Sequence, residues 1–126
     1  MEKSIFKKII DKEIPAHILY EDEHFLVFLD NNPEALGHSL VIPKEEVRWV
    51  WDTEHYQEYW NLVRKIAKTL QRVFKTEWII SKVVGDEVPH AHVHLFPGGM
   101  TKDGTEKDFE TIAKVIKKEL HEETLL

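Results

Sequence analysis

Apolar and polar residues follow two periods along this chain, and the switches between them mark out its elements. Ile5, Phe6, Ile9 and Ile10 stand at helical spacing behind Ser4, a good N-cap, with Lys7, Lys8 and Lys12 between them. The pattern predicts a short helix that Pro15 stops. His17 to Tyr20 and Phe25 to Asp30 read as two strands joined by the charged turn Glu21-Asp22-Glu23. Turn residues fill Asn31 to Gly37, and His38 to Ile42 resumes an extended apolar run that Pro43 ends. From Thr53 onward, Tyr56, Tyr59, Trp60, Val63, Ile66, Ala67, Leu70, Val73 and Phe74 recur at three and four residues, the stripe of a long amphipathic helix. Trp78 to Val84 and Ala91 to Phe96 have strand content, and Gly98-Gly99-Met100-Thr101 ends the second. A last helix is predicted from Thr105 to about His121 through Phe109, Ile112, Ala113, Ile116 and Leu120.

The order is helix, three strands, long helix, two strands, helix. Short strands with tight turns favour an antiparallel sheet, so the expected class is α+β: about five strands, a long helix on one face, and short helices at the two ends. With 126 residues, 42% hydrophobic and 32% charged, the whole of 1–126 is expected to be one domain, of a size that often extends its core as a homodimer. The chain has no cysteine, which removes disulfides, thiolate zinc sites and cysteine nucleophiles from consideration. A net charge of −6, from 17 Lys+Arg against 23 Asp+Glu, argues against a nucleic acid polymer as partner, while a single small anion could still be held by local donors. The opening Met1 to Phe6 lacks the apolar region of a signal peptide and no run is long enough for a membrane span, so a cytoplasmic location without membrane partners is expected.

Three of the eight histidines stand at His90, His92 and His94, separated by Ala91 and Val93. On a strand, residues two apart share a face, so the imidazoles would line one surface while Ala91, Val93 and Leu95 face the core. Neutral imidazole is a nucleophile that can attack phosphorus and leave again, and neighbouring histidines can set its tautomer and stabilise phosphate charge. The same spacing also suits zinc, which two or three such rings can reach, or a surface pH sensor.

The run His90-Ala91-His92-Val93-His94-Leu95-Phe96, followed by Pro97, resembles the signature of the histidine triad (HIT) family. The likeness extends upstream through Ile5-Phe6-Lys7-Lys8-Ile9-Ile10, Glu13-Ile14-Pro15, Tyr20-Glu21-Asp22, Phe28-Leu29-Asp30 and Gly37-His38-Ser39-Leu40-Val41-Ile42-Pro43-Lys44, and so covers nearly the whole chain. The resemblance implies a HIT-like fold and a nucleotide hydrolase or transferase that cleaves a phosphoramidate or phosphoanhydride at the α-phosphate of a purine nucleotide conjugate. By that resemblance His92 is the covalent nucleophile, His94 contacts phosphate oxygens or protonates the leaving group, and His90 and His38 support the pair. Ile5, Phe6, Ile9, Ile14, Phe28 and Leu29 would wall the base pocket, and Asp30 would accept from the ribose hydroxyls. Ordinary core packing is an equal reading for Ile9 and Ile14, and a turn-forming role for Asp30. No cofactor is required, and zinc at the histidines is the alternative.

Two places depart from the family pattern. Gly85 is followed by Asp86 and Glu87, where many members carry Gln and then Ser or Thr to donate to phosphate, and Ser81 stands where Asn is common. Two carboxylates repel phosphate. Either they turn outward and backbone N–H groups serve alone, or the leaving group is cationic and a carboxylate such as that of Glu87 meets it. Trp49 and Trp51, with Tyr59 and Trp60, are expected to serve packing or a dimer interface rather than ligand stacking. A binding protein without turnover, holding zinc or sensing nucleotide, is the alternative to an enzyme.

Overall fold

The structure, a computed structural model, describes residues 3–99 and 108–125. Helix α1 (Ile5–Ile10) opens the chain, capped as expected by Ser4, whose hydroxyl accepts from the Lys7 N–H at 3.0 Å. Such a cap contributes about 1 kcal/mol. Strands β1 (Ile18–Glu21), β2 (Phe25–Leu29) and β3 (Ser39–Pro43) follow. A single 3-10 turn, Val50–Asp52, then precedes α2 (Tyr56–Phe74), so the long helix begins three residues after Thr53. β4 (Ile79–Lys82), β5 (Val93–Pro97) and α3 (Phe109–Leu125) complete the order. The five strands form one antiparallel sheet in the order β1-β2-β3-β5-β4.

The architecture is the expected α+β class, with one correction. α3 is a 17-residue helix rather than a short one, and it joins α2 on the same face of the sheet. Its predicted start at Thr105 lies outside the described residues; Asp108 caps it by accepting from the Thr111 N–H at 3.0 Å. The face beneath α2 and α3 is filled by Val27, Val41, Val93 and Leu95 against Tyr59, Ile66, Leu70 and Ile116, all essentially inaccessible to water. Tyr59 satisfies its buried hydroxyl by donating to the Val41 carbonyl at 2.6 Å. On the opposite face α1 lays Phe6 and Ile9 over Leu26, Phe28, Leu40 and Ile42. That layer is too small to cover the sheet, and the uncovered remainder is where the histidines sit. Among the described residues no helix is long and apolar enough to cross a membrane.

Strand ends also differ from expectation. β4 is four residues long, not the seven of 78–84, and β5 starts at Val93 rather than Ala91. The reason is local: the Ala91 N–H donates to Val47 O at 2.7 Å, and the His90 ring takes the Pro43 carbonyl, so both groups leave the ladder before Val93. Only His94 of the three lies within a strand.

Candidate active site

The register fixes which side chains share the histidine face. His94 lies opposite Leu40 on one side and Lys82 on the other, whereas Leu95 lies opposite Ser39 and Ser81. Ser81 therefore points to the helix side of the sheet, away from the histidines, and is exposed. Leu29, opposite Ser39, also buries its side chain among the helix-side residues, although it borders the mouth of the pocket under α1.

His38, His90, His92 and His94 are all buried, and their ring nitrogens are committed in a defined pattern. A carbonyl can only accept, so His90 donates from Nε2 to Pro43 O (2.8 Å) and His92 donates from Nδ1 to the carbonyl of His90 (2.7 Å). Neutral His92 thus carries its lone pair on Nε2. Phe6 packs its ring edge to face against His92, centroids 4.8 Å apart, and fixes the plane of the imidazole.

The second arm runs through β3. The Glu34 N–H donates to His38 Nδ1 at 2.9 Å, so neutral His38 has its proton on Nε2. That nitrogen lies 2.9 Å from His94 Nδ1 and must donate to it, leaving the His94 proton on Nε2. His94 Nε2 is buried and has no hydrogen-bond partner among the described residues, a poised donor awaiting an acceptor. Burial holds His38 and His90 below the ordinary imidazole range, opposed by the Asp30 charge at His38 and by the Pro43 carbonyl at His90. Burial, and secondarily the nearby His92, lowers His94 as well. The three supporting rings are neutral at neutral pH, consistent with this chain of hydrogen bonds.

Two pockets flank the histidines and share Asp30 and Asn32. One, of about 130 Å³, is bounded by Ile5, Phe6, Ile9, Phe28 and Leu40. Ile14 packs behind that layer and does not line it. The other, of about 170 Å³, is polar and runs past His38 and His94 to Glu34, Lys82 and Glu87; Asp86 is not among its walls. Asp30 stands between them. Its Oδ1 accepts from the Asn32 N–H, an Asx turn, while Oδ2 faces His38 Nε2 at 3.5 Å. The turn-forming and site-facing readings of Asp30 therefore both hold.

Donor atoms of Asp30, His38 and His94 lie within 4.8 Å of one another, a cluster that could in principle hold a metal. The hydrogen bonds weigh against it. A metal on His38 Nε2 would leave that ring's proton on Nδ1, facing the Glu34 N–H 2.9 Å away, and two donors cannot share that space. His90 and His92 each donate one ring N–H to a backbone carbonyl and keep a lone pair on the other ring nitrogen. The histidines of the row thus fall into two hydrogen-bonded arms, His92 with His90 and His94 with His38.

Sequence reasoning passed over Lys82, Glu34 and the Pro43 carbonyl. Lys82 was legible in principle, because pairing β4 with β5 puts one parity of β4 on the histidine face; that register is set by long-range pairing. The pairing of Glu34 with His38 depends on the path of the loop 31–37, which carries no periodic signal.

Residues 11–101 match the HIT domain. The chain is 39% identical over 127 residues to an uncharacterized HIT-like protein of Methanocaldococcus jannaschii, covering 90% of this chain and 98% of that one. It is 35% identical over 133 residues to the adenosine 5'-monophosphoramidase of Saccharomyces cerevisiae, covering 96% of this chain and 80% of the other. The solved structure of a zinc-bound histidine triad family protein from Mycobacterium smegmatis superposes with a TM-score of 0.82 at 26% identity, over 96% of this chain and 95% of that one. The chain belongs to the HIT family.

Proposed function

We propose that the protein is a nucleotide hydrolase or transferase that cleaves a phosphoramidate or phosphoanhydride at the α-phosphate of a purine nucleotide conjugate, by way of a nucleotidyl group carried on His92. The observation that carries this reading is the opposition of tautomers: the His92 lone pair on Nε2 stands beside the unpartnered N–H on His94 Nε2, ring centroids 4.9 Å apart. A lone pair to attack phosphorus and a proton donor to meet a phosphate oxygen or the leaving atom are the two things such a transfer needs. The 35% identical yeast relative, an adenosine 5'-monophosphoramidase, supports the choice of substrate.

The apolar pocket under α1 takes the base, and the Asp30 carboxylate, shared by the two pockets, takes the ribose hydroxyls. The α-phosphate then lies over His92. Attack by Nε2 forms a nitrogen–phosphorus bond as the bond to the leaving group breaks; water or an acceptor next attacks phosphorus and releases His92. Throughout, the His90 carbonyl holds the Nδ1 proton and stabilises the positive charge that the ring acquires. No step requires a cofactor.

The leaving group occupies the polar pocket beyond His94, where Glu34 and Glu87 outnumber Lys82. That balance favours a leaving amine bearing a further positive charge. The protein acts in the cytoplasm as a homodimer in this reading; the outer edge of β4 has no strand partner among the described residues, and pairing with the same edge of a second copy extends the sheet.

Intact-protein mass spectrometry during turnover of adenosine 5'-phosphoramidate, quenched rapidly without acid, tests the reading. An adenylyl adduct on the wild type and none on His92→Ala is expected. Binding of the nucleotide with neither adduct nor turnover would leave a sensing protein instead, and stoichiometric zinc without turnover a metal-binding one.

A further inference from the structure

Residues 83–92, between β4 and β5, form no ladder, yet this stretch carries Glu87 into the polar pocket and delivers His90 and His92. Its anchors come from one short piece of chain. Val47 O accepts from the Ala91 N–H at 2.7 Å, Pro43 O accepts from His90, and Arg48 Nη2 donates to Gly85 O at 2.8 Å. The Trp49 indole lies so tightly on Gly85 that a Cβ built there would sit 2.2 Å from its Cζ3 and Cη2. Trp51 stacks on the outer face of Trp49, centroids 5.4 Å apart and planes within 8°, and the Arg48 guanidinium stands 5.4 Å from the Trp49 centroid.

We infer that Arg48 and Trp49 are a clamp on Gly85 that sets the position of Glu87 and His92, which makes Trp49 a positioning residue for the transfer proposed above and gives the tryptophan pair a purpose other than core packing. The aromatic plate is half exposed, so hydrophobic burial alone gives it little reason to be there; what it does is cover a glycine backbone that no side chain could otherwise restrain. Glycine at 85 lets the ring close onto the backbone, because a β-carbon there would occupy the space the indole fills. The inference uses the hydrolase reading for its kinetic consequences and is independent of it for its structural ones.

Each half of the clamp predicts the other. Trp49→Ala frees the stretch, and Gly85→Ala pushes the ring off it, so each alone lowers kcat/KM for adenosine 5'-phosphoramidate by roughly 10- to 100-fold, mostly in kcat, the scale expected when a reacting group shifts by about 1 Å. In the Trp49→Ala background Gly85→Ala has no further effect, while Trp49→Phe restores most of the rate. Amide hydrogen exchange in residues 85–90 speeds at least about 10-fold in Trp49→Ala and stays unchanged in β1, β2 and α2. Arg48→Ala, an exposed substitution that leaves folding intact, shows the same exchange pattern at smaller amplitude.

Additive losses in the double variant, or unchanged exchange in residues 85–90 with either Trp49→Ala or Arg48→Ala, overturn the clamp. Should the wild type fail to turn over the phosphoramidate, the hydrolase reading falls, while the exchange measurement and AMP affinity in the same variants still decide the clamp.

Discussion

The two faces of the sheet are built by the same strands and solve opposite problems. Under α2 and α3, Val27, Val41, Val93 and Leu95 meet an apolar helix stripe, and the buried Tyr59 hydroxyl is paired with Val41 O. Over the other face α1 covers only part of the surface and four buried imidazoles lie beside it, one with a nitrogen that has no partner among the described residues. The first face maximises burial; the second keeps desolvated polar groups that a folding-only sequence would have replaced. The difference teaches where to look: stability and reactivity are separable here by the parity of a single strand, with Val93 and Leu95 on one side and His94 on the other.

That separation can be broken by mutation, and the largest expected effect is on the histidine face. His92→Ala is expected to lower kcat by about 10^4-fold or more, the scale seen when a nucleophile is removed, with little change in the urea midpoint. On the helix face Ile66→Ala, at a site with no exposure, should cost roughly 2 to 5 kcal/mol in urea unfolding and leave the rate per folded molecule as it was. A comparable loss of rate with folding retained in Ile66→Ala would erase the distinction.

Smaller effects sharpen it. His38→Ala removes the donor to His94 Nδ1, freeing that ring to turn or change tautomer, and should reduce kcat by about 10- to 100-fold, as loss of a supporting hydrogen bond does. Glu87→Gln should cut selectivity for an adenosine phosphoramidate whose leaving amine carries a second, charged ammonium over its uncharged alkyl counterpart by about 10-fold in kcat/KM, equivalent to about 1.4 kcal/mol. No change in that ratio would dissociate Glu87 from the leaving group.

The histidine face should also make stability depend on pH. His38, His90 and His94 have folded pKa values lowered by burial, so the unfolded chain binds their protons more readily than the folded one. Their contribution is complete above the unfolded value near 6.5 and is lost as pH falls below it, at about 1.4 kcal/mol per pH unit for each ring still neutral in the fold. Thermal melts from pH 7.5 to 5 should show a falling Tm, shallower in His38→Ala; a flat profile in the wild type would contradict the neutral assignment.

Much of this was legible in the sequence because it rests on local signals. The Ser4 cap, the α2 stripe and the turn residues each act within a few positions, and the elements they mark were found where expected. The alternation of His90, His92 and His94 correctly put three rings on one side, but it implied a single strand row. Backbone groups of Val47 and Pro43, more than 40 residues away, decide that only His94 belongs to the ladder. Ser81 turned to the helix side for the same reason: motif position says nothing about parity, which is set by strand pairing. The end of α3 at Leu125, rather than near His121, was hidden because its polar last turn carries no apolar stripe.

One feature far from the histidines bears on how this protein could change over time. Lys75 closes α2 in the left-handed conformation, φ 52°, with its N–H on Gln71 O. A residue with a β-carbon is strained there by roughly 1 kcal/mol, which glycine avoids. Exchange of Lys75 for glycine would raise heat tolerance without approaching the chemistry. The fold thus keeps an unused margin at one end of its longest helix, from which a lineage moving to a hotter habitat could draw while its reactive face drifted toward a new substrate.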